Sequence, residues 1–563
     1  MHASYTNKTL LEISSELFKS SKKVVISGQD LQINDVIAVA RLGKKISLTD
    51  DQEVISRIAT CYEHMMKDVK QGVPVYGCNT GYGGQAGRVL TNGSAEARVN
   101  IAKKISEGIV HVDVSVGPKF SADVVRGAML IRINMLMNGV SGVKLADLKL
   151  YGDVLNKHLT PVVNQYGGIG ASGDLAHNAR VLSVLRQLPG AMVMSKSGKE
   201  TLAKEALPKA GIKSLRLDPK VGLGLVNGDN FSTALAALLA VDTLGILLLS
   251  IVTGAMMIEV LEGSDRSFHP LLSDVRPHAG QKEVAGLYRY LLNGSSLAYQ
   301  EMREHKERPK GRKVQDGYSL RGAAQYQGVN VEKIKQILDV ITVNANSVSD
   351  NPLWVVPEYA VEGEEPWHWV SGGNFLAMHM VDAMDNLRKI MTQITKLNDR
   401  HLARLIDTHE NNGLPPNLSD KKAITGCAFK GVQIQSGMFD VYSTLLSFPV
   451  STMFGVHEER NQDITAHSLT SGILGLENLK IARYSLAQNL IAVAQAVDLR
   501  GGPKLLSPRT RPVYDFIREN VKYLDIERSL GGEIEQIYSL IKSEELSYVM
   551  NNEVFEHMNH EQF

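Results

Sequence analysis

Gly167-Gly168-Ile169-Gly170-Ala171-Ser172-Gly173-Asp174-Leu175 is the stretch that decides how this chain is read. Ser172 is its one nucleophile-sized side chain, set between two of the smallest residues. Small neighbours let backbone approach backbone closely. The Gly173 nitrogen is therefore free to reach the Ala171 carbonyl carbon. Cyclisation there, with loss of two waters, would close Ala171-Ser172-Gly173 into a five-membered ring. That ring would carry an exocyclic methylene derived from Ser172, an electrophile that no ordinary side chain supplies.

Two plainer readings compete. Gly168-x-Gly170-x-x-Gly173 matches the dinucleotide-binding fingerprint, which needs a preceding strand, a following helix and an acid about 20 residues on. Pro161 to Tyr166 make a poor buried strand, and Gln187-Leu188-Pro189-Gly190 breaks the chain with no well-placed acid. A nucleotide-dependent enzyme is therefore disfavoured. A purely structural glycine-rich turn is the other reading.

At 563 residues the chain exceeds one simple core, so sub-domains are expected at 1–220, 221–500 and 501–563. The net charge of +1 points to neither nucleic acid nor membrane as a partner. Cys61, Cys78 and Cys427 form no paired motif, which suits reduced thiols in the cytoplasm. The first residues carry no basic segment followed by an apolar run, so no secretory signal is expected. Thr233 to Met257 is long and apolar enough to span a membrane, but Asp242 sits within it. A helix apolar all round is equally the core of a large bundle, and that reading is favoured.

Helical periodicity runs from Asp51 to Val69, from Asn100 to Ile109 and from Leu175 to Leu188. Ser121 to Gly139 predicts an amphipathic helix. A short strand and then a helix are expected around Leu31, Ile33 and Val36. Gly372-Gly373-Asn374-Phe375 opens a pattern of apolar steps that stops at Asn411-Asn412-Gly413, a helix of roughly 35 residues. Such length predicts a central helical bundle.

Several short motifs recur in order along the chain. Tyr76-Gly77-Cys78-Asn79-Thr80-Gly81-Tyr82-Gly83 is a fairly specific run. Gly222 to Asp229, Gln315-Asp316-Gly317-Tyr318-Ser319-Leu320-Arg321 and Asn346 to Leu353 follow the central stretch. Ala428 to Gln433 and Glu458-Glu459-Arg460-Asn461-Gln462 come last. Together with Ala171-Ser172-Gly173, this set resembles the ammonia-lyases and aminomutases that build 4-methylideneimidazol-5-one, the MIO group.

The resemblance covers about Leu31 to Gly501. It implies a mainly α fold of fumarase/aspartase-like architecture, with a long central helical bundle and a smaller mixed N-terminal region bearing the MIO group. It implies that Ala171, Ser172 and Gly173 form the cofactor, with no metal and no nucleotide, and that Tyr76 on a flexible inner loop is the base. Tyr318 would stand near the amine, and Arg321 and Asn351 on the substrate carboxylate. Asn227 would stand near the MIO group, Lys430, Glu458 and Gln462 would supply the remaining polar groups, and Phe375 would contact the substrate. Leu175, Leu223, Ile434 and Glu458 would line a pocket for an aromatic side chain, with Lys104 and Ile105 facing its ring. Relatives of this kind are homotetramers with shared sites. The substrate implied is an aromatic L-α-amino acid such as phenylalanine, tyrosine or a hydroxylated analogue.

A tyrosine base with an unperturbed pKa near 10 needs help, and helix N-termini aimed at the site would favour its phenolate. The chain departs from the family at three points. A Lys103-Lys104 pair is ordinarily a solvated helix face. Asp229 stands where threonine is usual, either tuning the site or capping the next helix. Ala176-His177 replaces a usual proline-bearing run, and a lone His177 is ordinarily a packing residue. Glu301 to Lys313 is a dense charged run that the resemblance makes an outer loop. An ammonia-lyase is the function expected, with a 2,3-aminomutase as the alternative. Retention of the ring-forming residues together with Tyr76 and Arg321 argues against the other alternative, a catalytically silent helical assembly protein.

Overall fold

Three long helices carry the fold: Asn230–Val260, Met378–Ile406 and Ser468–Leu499, packed on one another with Ala323–Ala345 alongside. The computed structural model describes residues 4–18, 23–304, 313–556 and 558. The outer-loop expectation falls mostly on 305–312, outside the described residues.

Asn230–Val260 is apolar on every face because neighbours cover every face, and 89% of its most apolar window is buried. Its charges are neutralised locally. Asp242 takes ion pairs from Arg41 at 2.9 Å and Arg483 at 3.2 Å. Glu259 accepts from the Ser507 backbone N–H and the Thr510 hydroxyl, each at 2.6 Å. The core reading of this segment therefore holds, and the chain buries it without help from a second copy.

Ala122–Met137 departs from expectation. From Val124 to Met137 every residue is buried, so the helix is not amphipathic. Its polar side chains are absorbed by backbone carbonyls: Arg126 donates to Val39 and Leu155, and Asn134 to Ala345. The helix expected from residue 372 begins only at Met378 and ends at Ile406. Residues 373–376 form a turn instead, and the Ala377 N–H docks on the Gly170 carbonyl at 3.3 Å. Near the N-terminus the strand is Val24–Ile26, and Ile33 and Val36 lie in the helix Ile33–Ala40.

Strands are short and peripheral. Val24–Ile26 pairs parallel with Ile46–Leu48. Thr160–Pro161, Met192–Met194 and Glu200–Leu202 make an antiparallel three-stranded sheet. Asn164–Tyr166 leads straight into Gly167 and pairs antiparallel with Val116–Lys119. The parallel βαβ unit that a dinucleotide fingerprint needs is not built around this stretch.

One hydrophobic cluster runs from Tyr5 to Phe555. A smaller one, including Cys61, Met65, Val75, Cys78 and Trp354, lies under the Tyr76 loop.

Candidate active site

The Gly167–Asp174 loop is where helix N-termini meet. Leu175–Leu185 starts directly from Asp174. Asn230–Val260 presents the Ser232 N–H and hydroxyl to the Asp174 carboxylate, both at 2.7 Å. The Ser468 hydroxyl lies 2.7 Å from that of Ser232, and the His467 N–H donates to the Ile169 carbonyl at 2.8 Å. With Met378–Ile406 docked through Ala377, four positive helix ends surround one loop. Burial drives the Asp174 carboxyl up to about 7, against the pull of its Ser232 bonds.

Glycine is required at two points. Gly173 has φ of +70°, and a Cβ there would collide with the Gly228 carbonyl. A Cβ on Gly228 would collide in turn with the Arg132 guanidinium. Backbone thus lies directly on backbone: Gly173 bridges Gly228, and the Asp174 N–H donates to the Gly228 carbonyl at 2.8 Å. Behind this shelf the buried Lys220–Asp350 pair, at 2.6 Å, and the Arg132 bond to the Gly224 carbonyl fix the segment that carries Leu223 and Asn227.

Ser172 faces a cavity of about 290 Å³. Its hydroxyl accepts from the Gln462 amide at 3.0 Å, and its carbonyl accepts from the Asn227 amide at 2.9 Å. Tyr76, Ala171, Leu175, Leu223, Phe375 and Glu458 line the same cavity. Gln462 and Glu458 arrive on a tight loop in which Glu458, Glu459 and Arg460 all adopt positive φ. Left-handed backbone costs a side-chain-bearing residue about 1 kcal/mol or more, so neighbouring contacts must hold this turn in place. Asn461 supplies one, donating to the Glu458 carboxylate at 3.0 Å.

The Tyr76 hydroxyl accepts the Gly83 N–H at 2.9 Å. Burial raises its pKa above the usual phenol value, the Gly83 bond opposes that, and the Glu458 charge adds to it. The expected lowering by helix ends is therefore outweighed by burial.

The family model described as aromatic amino acid lyase matches residues 31–519. The chain belongs to the aromatic amino acid lyase family. It is 34% identical over 516 residues to a phenylalanine ammonia-lyase of Nostoc punctiforme, covering 89% of this chain and 88% of that protein. It is 30% identical over 528 residues to a probable histidine ammonia-lyase of Thermoplasma acidophilum, covering 93% and 99%. The crystal structure of phenylalanine ammonia-lyase from the yeast Rhodosporidium toruloides superposes with a TM-score of 0.86 at 25% identity, over 98% and 99% of the two chains. A tyrosine aminomutase from Streptomyces globisporus gives 0.85 at 26%, over 95% and 99%. The fumarase-like helical fold is shared across these lyases.

Not every residue expected at the lyase site comes together in one chain. Tyr318 and Arg321 line a separate hollow with Ser264, Arg266 and Gln325. Tyr318 is 78% exposed, and the Arg321 guanidinium stacks on its ring at 4.5 Å. Lys430 and Ile434 stand exposed on the helix Lys430–Leu445, away from the Ser172 cavity. Asn351 is buried and accepts the Gly372 N–H at 2.9 Å, so it braces the 372–376 turn behind the cavity. Lys104 is exposed and Ile105 half-buried, and neither lines the cavity.

One departure resolves as packing. His177 is buried against Phe120 and Phe231 and bonds the Gln165 carbonyl at 3.0 Å, and burial lowers its pKa to about 4. Asp229 holds the N-cap position of Asn230–Val260 without a side-chain cap bond. It is buried, bonds the Asn344 amide at 3.1 Å, does not line the cavity, and its charge helps to raise the Asp174 carboxyl. Sequence reasoning missed Tyr82, Ile109, Val112 and Leu376 on the cavity wall. Tyr82 was already in the quoted Tyr76 motif, whereas Ile109 and Val112 follow a helix end and show no pattern of their own.

Proposed function

We propose that this chain is an ammonia-lyase acting on an aromatic L-α-amino acid, using an MIO group made from Ala171, Ser172 and Gly173. The observation that carries this reading is the Ala171-Ser172-Gly173 turn itself. It is pressed onto Gly228, anchored through Asn227 and Gln462, and open to a cavity that Tyr76 enters. Tight left-handed backbone with no room for added side chains suits the ring closure.

When present, the MIO methylene supplies an electrophile for the substrate amine, turning a poor leaving group into a better one. The chain's own residues do the rest. Tyr76 takes the β-proton, and its raised pKa places activity in the alkaline range. Asn227 and Gln462 hold the turn in register. Ile109, Val112, Leu175 and Leu223 present an apolar wall to the substrate side chain. Such a wall favours a phenyl ring; a phenol or an imidazole would need a polar partner for its hydroxyl or nitrogens. The products are an arylacrylate and ammonia. An aminomutase outcome would return the amine to the β-carbon before the acrylate leaves, and the likeness in fold to a tyrosine aminomutase keeps it in the assay.

Tyr318, Arg321 and Lys430 belong in this proposal to a neighbouring copy's site within a homotetramer. Ile434, Met438, Val441 and Leu445 are all exposed along the helix Lys430–Leu445, an apolar row that an assembly would cover. This row replaces the apolar Asn230–Val260 helix as the reason for assembly, since that helix is already covered.

The test is intact mass together with ammonia release across the proteinogenic amino acids. The mature chain is expected two waters lighter than its encoded mass, with the loss localised to the peptide carrying Ala171 to Asp174. Full encoded mass would remove the mechanism. Release from aliphatic substrates alone would remove the aromatic reading.

A further inference from the structure

The segment from Val75 to Leu90 is held together mainly by its own bonds. Asn79 accepts the Val75 N–H and donates to the Val73 carbonyl, both at 2.8 Å. Thr80 pairs with Val89, the Gly81 N–H donates to the Arg88 carbonyl at 3.0 Å, and the Leu90 N–H to the Asn79 carbonyl at 2.8 Å. A loop knitted in this way moves as a unit, so its attachments to the rest of the chain decide where Tyr76 sits. Gln85 reaches Glu459 at 2.6 Å, but that contact is exposed and worth little in water.

Tyr82 is different. Its ring packs into the main core and stands edge-on to Tyr76, with centroids 6.5 Å apart. Its hydroxyl donates to the Ile105 carbonyl at 3.0 Å. Ile105 lies in the last turn of the helix Ala95–Gly108, which continues without a break into the 3-10 turn Ile109–Val112. The hydroxyl thus ties the loop to the last turn of the helix that runs directly into Ile109 and Val112, the cavity wall. The next residue, Gly83, supplies the N–H that Tyr76 accepts.

We propose that Tyr82 is a positioning residue whose hydroxyl latches the Tyr76 loop to the helix behind the side-chain wall, so that base and ring pocket keep one register. The proposal rests on the lyase reading for its catalytic consequence, but the latch itself is testable without catalysis.

Tyr82→Phe removes one oxygen and keeps the ring, so the fold, and the loss of two waters relative to the variant's own encoded mass, should match the parent. Amide hydrogen exchange across residues 76–90 is expected to quicken several-fold, with residues 230–260 unchanged. kcat should fall about five-fold or more while KM changes less. The acid limb of the kcat/KM profile should move to higher pH, because a loosened Gly83 N–H no longer favours the Tyr76 phenolate. Unchanged exchange at 76–90 overturns the latch, even if activity falls. Quickened exchange with kcat and pH profile both unchanged overturns its role in positioning the base. If the parent releases no ammonia from any amino acid, the lyase reading fails, and the exchange result alone still decides whether the latch exists.

Discussion

The cavity around Ser172 and the ledge around Tyr318 are built in opposite ways. In the cavity the polar groups around Ser172 and Tyr76 are bonded locally: Gln462 and Asn227 to Ser172, and the Gly83 N–H to Tyr76. On the ledge Tyr318 lies largely in solvent, and the buried Nε of Arg321 has no hydrogen-bond partner among the described residues. A guanidinium is shaped to grip a carboxylate with two parallel bonds. One parked on an exposed ring has groups left to satisfy. A chain that settles one set of polar groups and leaves another open is what a site divided between copies requires.

Arg321→Ala puts this contrast under the greatest strain. If Arg321 grips the substrate carboxylate, kcat/KM should fall about 10²-fold or more, because the reacting atoms lose their alignment. The fold, and the loss of two waters relative to the variant's own encoded mass, should not change, since no internal bond of the cavity is lost. Mixing is the sharper form of the test. Arg321→Ala and Tyr76→Phe chains, unfolded together and refolded, should recover activity that neither has alone if one site draws on two copies. Absence of recovery, with mixed assemblies demonstrated by mass, would place both residues in one chain's site and dissolve the contrast.

A smaller effect separates the two regions by pH. The Asp174 carboxyl under the cavity is pushed up to about 7 by burial, well above its ordinary value, whereas the ledge is open to solvent. A folded-state pKa raised above the unfolded one means that the folded chain holds a proton the unfolded chain has released. The stability it gives is complete below about pH 4 and is lost as pH rises through about 7. Asp174→Asn should flatten this decline, which is worth at most a few kcal/mol, as read from the melting temperature at a series of pH values. An unaltered slope would mean that Asp174 is ionised throughout and that its Ser232 bonds outweigh burial.

Much of the cavity was legible in the sequence because it is local. Ala171, Ser172 and Gly173 are consecutive, and the long helices announce themselves by apolar spacing. The order of motifs gave Tyr76, Asn227, Glu458 and Gln462 through resemblance, and the fold brings them to one cavity. Spacing could not show that Ala122–Met137 is buried all round, because Arg126, Arg132 and Asn134 call for water until their carbonyl acceptors are seen. Nor could it show that 373–376 is a turn, since Leu376 keeps helical step with Met380 while its neighbours dock on Gly170. Which expected residues lie on the far ledge depends on tertiary placement alone.

The smallest expected effect is also the one that places the boundary between the two regions. Lys104 is exposed, and its neighbour Lys103 pairs with Asp218 at 3.1 Å. An ammonium facing an apolar wall would need a partner or would have to reach out to water. The structure gives it water. Lys104→Phe should therefore change stability by about 0.5 kcal/mol or less and leave the preference between phenylalanine and tyrosine nearly unaltered. A several-fold gain for phenylalanine over its hydroxylated analogues would show that Lys104 turns inward over the substrate ring. In that event Ile109 and Val112 would not be the end of the pocket, and the wall would extend one helical turn back along Ala95–Gly108 to the position that the family resemblance assigns to the ring.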